Sequence, residues 1–383
     1  MIQPFEISVD PDALDDLRRR LAAFRSPPSQ EHRGWNDGVD LGYLAELVDY
    51  WLHQFNWRVQ ETALNRHEQF IADVRGTKCH FVHERGRGAS PLPLLLVHGW
   101  PDGFQRFDKL IPLLTDPGAH GGDAADAFDV VVPSLPGCGF SPRGSDGPSL
   151  DAFGAVFHSL MRDVLHYDRY GAHGGDVGAI VCDQLCRGHD ATLAGVHFTN
   201  VPATRDGTEF DDLSAAERDF LARRQEFLKL GGGYMHIQGT KPWTPAVALN
   251  DSPAGLAAWI VEKMQAWSDC DGDIERRFTK EAILTSVMLY WITQSIGTSF
   301  LGYRDLAKPR HESSNATDAN RSRGAAAGFA MFPKDIANAP REWAERFYDV
   351  RHWSEMPSGG HFAAWEEPAL LAQDIRTFFR PLR

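Results

Sequence analysis

The sequence holds only five cysteines, Cys79, Cys138, Cys182, Cys186 and Cys270, and none forms a C-x-x-C pair. An odd count without such spacing gives neither a disulfide framework nor a zinc site, and it fits a reducing compartment. Cys182 and Cys186 stand one helical turn apart and read as small buried residues on one helix face. Long apolar runs are also missing. No stretch reaches the roughly 18 residues of a membrane span, and the N-terminus MIQPFEISVDPDALDD lacks the basic-then-apolar pattern of a signal peptide. We therefore expect a cytoplasmic protein without a membrane anchor. Positive charge is in deficit, with 39 Lys and Arg against 52 Asp and Glu and a formal net charge of -13. That balance argues against nucleic acid as a partner, because phosphate backbones reward Lys and Arg. The heavy use of Ala, Gly and Arg points to a bacterial source.

What is present is a chain of 383 residues, 43% hydrophobic and 24% charged, long enough for more than one structural unit. Residues 1–75 read as helical and wrapped around a partner surface. Asp10 caps a helix that opens with Pro11 and repeats Leu14, Leu17, Leu21 and Phe24. A second helix starts at Asp40, with Leu44, Leu47, Val48, Trp51 and Phe55 on one face. From about residue 68 the period changes to two. Residues 69–74 and 78–83 flank Arg75-Gly76-Thr77 as a hairpin. The run 91–97 is apolar throughout, as in a strand buried on both faces, and 128–133 is another, with a helix from Gln105 to Leu114 between them. A helix near 150–166, a strand near 169–173, a helix from about 178 and a strand 193–199 continue a parallel α/β alternation.

Residues 205–304 break that alternation and read as an inserted helical cap, with helices such as 256–263 and 283–296. Strands 325–332 and 347–353 and a final helix 368–379 resume it, and the polar stretch 307–324 reads as an exposed loop. The domain expectation is a meander at 1–75, an α/β core at 76–204, the cap at 205–304 and a second part of the core at 305–383.

Three short motifs carry chemistry. Gly174-Gly175-Asp176-Val177-Gly178 lies between a strand and a helix. Small residues on both sides of Asp176 permit a sharp turn that lifts its side chain above the sheet, where a carboxylate can attack an electrophilic carbon and form an ester. Alternatively, Asp176 merely caps the following helix. His98-Gly99-Trp100-Pro101 follows the apolar strand, where the Trp100 N–H and the Val177 N–H can form an oxyanion hole. Gly359-Gly360-His361-Phe362 follows the last strand and offers the base. Asp335, in Phe332-Pro333-Lys334-Asp335, is the chosen acid, with Asp349 and Asp318 as rivals. Among the sixteen His, His98, His173 and His352 read as structural or surface residues.

With these motifs in view, the chain resembles the microsomal-type epoxide hydrolases, nearly end to end. The resemblance rests on HGWP at 98–101, PSLPGCGFS at 133–141, GGDVGA at 174–179, the long cap segment 233–268, FPKDI at 332–336, PREWAERFY at 340–348 and GGHFAAWEEP at 359–368. It implies the α/β-hydrolase fold, with a mostly parallel sheet, helices on both faces, an inserted helical cap and an N-terminal meander. It implies a small hydrophobic epoxide as substrate, no cofactor and no metal, and allows a homodimer. It also implies two cap tyrosines that hold the epoxide oxygen. The first matches Tyr234 in Gly233-Tyr234-Met235-His236, and the second matches Tyr303 in Ser299-Phe300-Leu301-Gly302-Tyr303. Tyr290 is a rival set in an apolar helix. The sequence departs from the usual pattern at Val177, where relatives often carry Trp, at Leu301, where many have Arg, and at Cys138, where Tyr is common. These positions bear on the shape of the pocket rather than on the chemistry. The rival functions are a haloalkane dehalogenase, which also uses an Asp nucleophile, and a non-catalytic relative of the same fold.

Overall fold

The computed structural model describes residues 1–28, 33–202, 210–308 and 324–383. The polar stretch expected as a loop falls largely outside these residues, as does Asp318. Nine strands form one sheet: β1 (Ile2–Phe5), β2 (Gln69–Val74), β3 (Thr77–Glu84), β4 (Leu92–Val97), β5 (Phe128–Pro133), β6 (Tyr170–Gly174), β7 (Leu193–Phe198), β8 (Ala326–Met331) and β9 (Asp349–Glu355). Their order is β1-β2-β3-β5-β4-β6-β7-β8-β9. The first three join antiparallel, β3 pairs antiparallel with β5, and every pairing from β5 to β9 is parallel. Strand β4 occupies the centre, with Leu94, Leu95, Leu96 and Val97 fully buried, as a strand covered on both faces requires.

One face of the sheet carries α5 (Phe153–Ser159) and α6 (Val177–Gly188), and the other carries α4 (Leu110–Thr115) and α16 (Pro368–Phe379). Cys182 and Cys186 lie buried on α6, and all five cysteines are buried without a disulfide. The helix expected over 105–114 is split. A 3-10 turn covers Phe104–Phe107, and α4 begins only at Leu110. The helix expected over 150–166 is α helix only to Ser159 and then widens into a π turn through Val164.

The N-terminal segment holds α1 (Pro11–Ala22), α2 (Leu41–His53) and α3 (Trp57–Leu64). Asp10 caps α1 by accepting from the Asp12 N–H, and Asp40 caps α2 by accepting from the Tyr43 N–H. The apolar faces of these helices, with Leu17, Leu21, Leu47 and Trp51, pack on the cap rather than on the sheet. Their partners are α10 (Pro253–Ala266) and α11 (Lys280–Thr293). The segment is not wholly helical, because β1 adds an edge strand to the sheet. The cap also contains α7 (Ala215–Leu230), α8 (Gly233–Thr240), α9 (Trp243–Asp251), α12 (Ile296–Ser299) and α13 (Leu301–Leu306). The helix expected over 283–296 stops at Thr293, because Gln294 turns left-handed at φ 51°. Two short helices, α14 (Arg341–Glu345) and α15 (Ala363–Glu366), complete the chain. Among the described residues no helix is long and apolar enough to cross a membrane.

Candidate active site

The carboxyl ends of parallel strands are where open α/β sheets gather their functional loops. Here β4 and β6 are neighbours in register, Val97 beside Gly174. The turn after β4 therefore meets the turn after β6. Asp176 sits between β6 and α6 with φ 56° and ψ -125°, a conformation that non-glycine residues rarely adopt. The close packing around it explains the glycines. A Cβ on Gly174 would lie 2.4 Å from the Gly178 carbonyl oxygen, and one on Gly178 would lie 2.1 Å from the Val97 carbonyl oxygen. Asp176 does occupy the position before α6, but its side chain makes no capping hydrogen bond there. Instead Oδ1 accepts from the Trp100 N–H at 2.9 Å, and the Val177 N–H also supports the ionised carboxylate.

His361 lies across the site. Its Nδ1 is 2.7 Å from Asp335 Oδ1, and its Nε2 is 3.6 Å from Asp176 Oδ2. The first is a hydrogen bond; the second is an ionic contact just beyond hydrogen-bond length. A parallel bridge between Lys334 and Gly360 ties the acid loop to the base loop. Asp349, the rival acid, pairs instead with Arg351. Burial pushes the Asp176 carboxyl up, but the neighbouring imidazole and the two N–H groups outweigh it and hold the group below the usual carboxylate range. Burial alone would depress His361. The charges of Asp335 and Asp176 outweigh it and push the imidazole up to about 10.

The cap supplies the roof. Tyr234 (on α8) and Tyr303 (on α13) are both buried, with ring centroids 5.7 Å apart. Trp100 stacks on Tyr234 at 5.3 Å and meets Tyr303 edge-on at 5.6 Å. Burial and the Asp176 charge raise both phenols far above their ordinary value, so both remain protonated donors. The rival Tyr290 is occupied elsewhere, donating to the Asp102 carbonyl at 2.9 Å. The structure thus brings together Asp176, Asp335, His361, Tyr234, Tyr303 and the N–H groups of Trp100 and Val177.

The three histidines set aside by sequence are buried or partly buried and engaged in structure. His98 Nε2 accepts from the Leu135 N–H, His173 contacts His197, and His352 contacts Asp374. Sequence reasoning missed Asn200, whose Oδ1 accepts from the Asp176 N–H at 2.8 Å and steadies the strained turn. Its only signal is its place just beyond the carboxyl end of β7. It also missed Trp267, whose carbonyl accepts from the His361 N–H and whose ring sits 5.3 Å from the imidazole. Among the described residues no group of His, Cys, Asp and Glu is arranged to hold a metal ion.

Known proteins resemble this chain along its whole length. Residues 2–107 match the family described as epoxide hydrolase N terminus, and residues 93–294 match that described as alpha/beta hydrolase fold. A protein of Stigmatella aurantiaca, provisionally named an epoxide hydrolase, is 41% identical over all of this chain and 86% of its own length. Epoxide hydrolase 1 of Oryctolagus cuniculus is 36% identical over 98% of this chain and 88% of its own. The solved structure of Aspergillus niger epoxide hydrolase superposes with a TM-score of 0.85 at 30% identity, covering 100% of this chain and 97% of that one.

Proposed function

Since this chain belongs to the microsomal-type epoxide hydrolase family and is a hydrolase of the α/β fold, we propose that it converts a small hydrophobic epoxide to a vicinal diol through an ester on Asp176. The observation that carries this reading is the division of labour between the two oxygens of that carboxylate. Oδ1 is held by the Trp100 N–H, while Oδ2 faces His361. Oδ2 attacks an epoxide carbon, and the carbon–oxygen bond breaks. The departing oxygen takes a proton from Tyr234 or Tyr303, which leaves a hydroxyalkyl ester and a tyrosinate.

Ester formation removes the charge of Asp176, one of the two anions that hold the imidazole protonated. His361 then gives its proton to the tyrosinate, which restores the phenol, and becomes a base still oriented by Asp335. It takes a proton from water, and the hydroxide attacks the ester carbonyl. Charge develops on Oδ1, where the Trp100 N–H lies, with the Val177 N–H supporting the same group. Collapse expels the diol, which recovers the proton from His361. The Asp176 acid so formed ionises, and its proton passes to His361, which restores the resting carboxylate and imidazolium. The dehalogenase alternative calls for N–H donors aimed at a halide, and the Trp100 indole N–H is already given to Ser299 at 3.2 Å.

The test is incubation with styrene oxide, followed by diol analysis and intact-protein mass measurement. Wild type should yield diol, and Asp176→Ala none. His361→Gln should gain the mass of one substrate and release no diol. Full turnover by Asp176→Ala, or by His361→Gln, would overturn the mechanism.

A further inference from the structure

Asp102 and Arg106 lie behind the site, 2% and 3% exposed. Asp102 Oδ1 accepts from the Gly99 N–H at 3.0 Å, in the turn that presents the Trp100 N–H. Its Oδ2 meets Arg106 Nη1 at 2.5 Å. The same guanidinium sends Nη2 to the His361 carbonyl oxygen at 3.1 Å. The Asp102 carbonyl accepts from Tyr290 of the cap helix α11. A buried ion pair is costly to desolvate and weak evidence for stability in itself. Here its two ends fasten the two loops that must stay in register, and only the planar fork of an arginine can reach both partners at once.

We propose that Asp102 and Arg106 are positioning residues that couple the oxyanion turn to the base loop and so set the rate of ester hydrolysis. This rests on the roles proposed above for Asp176 and His361. Attack by Asp176 does not use His361, whereas hydrolysis needs the imidazole, the ester and the Trp100 N–H aligned together. Loosening the brace therefore slows the second step selectively.

The experiment is steady-state and single-turnover hydrolysis of styrene oxide by Arg106→Lys and Asp102→Asn, with intact-protein mass taken at early times. Lysine keeps the charge but loses the fork, and asparagine keeps an acceptor for the Gly99 N–H. Misalignment of a reacting group is worth up to about a hundredfold in rate, and we expect a roughly tenfold slower hydrolysis step. Because ester then accumulates, kcat and KM should fall together with kcat/KM unchanged. Wild-type hydrolysis rates in both variants would overturn the proposal. So would a fall in kcat at constant KM without ester, which is what a smaller folded fraction gives. Absence of an ester in His361→Gln would instead overturn the mechanism on which the proposal rests, so the two failures are distinguishable.

Discussion

Gly178→Ala isolates the close packing that holds Asp176 aloft. The added methyl carbon would sit 2.1 Å from the Val97 carbonyl oxygen, 2.8 Å from the Val97 carbonyl carbon and 3.1 Å from the His98 carbonyl oxygen. All three are backbone atoms at the end of the central strand, so no side chain can swing away. Relief requires α6 and the end of β4 to separate by about 1 Å, the order of overpacking that costs ~1–3 kcal/mol. With an unfolding entropy of ~2.1 cal/mol/K per residue over 383 residues, that cost lowers Tm by about 1–4 °C. The loss of activity should be larger than the loss of stability. The strand end that moves carries the Trp100 N–H, and a displacement of that size costs up to about a hundredfold in rate. Gly188→Ala is the control. It stands at the other end of the same helix with nothing within 4 Å of its added methyl, and it should leave turnover unchanged. Diol formation and thermal melting of the two variants decide the matter. A Gly178→Ala enzyme that melts and turns over like wild type would refute the packing argument.

Other expectations follow from the same geometry. Tyr234→Phe and Tyr303→Phe should each lower kcat/KM by on the order of a hundredfold without ester accumulating, because the lost donor serves ring opening; accumulation of ester in either variant would contradict this. In the ester form His361 has lost the Asp176 charge, so the acid limb of kcat should fall below the value of about 10 that holds in the resting enzyme; a kcat that rises only as pH passes about 10 would refute it. In the unliganded protein the sign runs the other way for stability. The raised imidazole contributes fully below its ordinary value of about 6.5, and that contribution is lost as pH rises through about 10, a slope that His361→Gln should remove from urea-unfolding curves. Burial pushes Asp374 up, but contacts with His197 and His352 hold it well below the carboxylate range. Its contribution is present above the ordinary carboxylate value and lost as pH falls. Asp374→Asn should therefore cost about 1–3 kcal/mol near neutrality and blunt acid unfolding.

Local signals made most of the proposed nucleophile and its loops readable. The glycines around Asp176, the HGWP turn and the glycines before His361 each encode a backbone shape within a few residues. The final helix was read with its observed bounds because Pro368 marks its start and its apolar spacing is regular. Strand β1 was missed because it is a short, largely exposed edge strand containing Pro4, with no alternation to read. The break in 105–114 was hidden because an apolar pattern continues across Asp108 and Lys109. Asp102 and Arg106 had no signal at all, and Asn200 had only its place just beyond the carboxyl end of β7. Their partners are remote in sequence, and a buried polar residue announces itself only once the fold supplies the burial. The cap as the surface that receives the N-terminal helices was likewise a matter of long-range packing.

Strands β7 and β8 lie side by side, yet the whole cap is inserted between them in the chain. The insertion leaves the sheet and returns to it through adjacent doorways. Evolution could therefore exchange or reshape this module while the strands that carry Asp176 and His361 keep their seats. On the mechanism proposed above, the grip on the epoxide oxygen comes from the insertion, which carries Tyr234 and Tyr303, and the bond-making groups come from the loops of the sheet. New substrates can be acquired through the first without re-inventing the second.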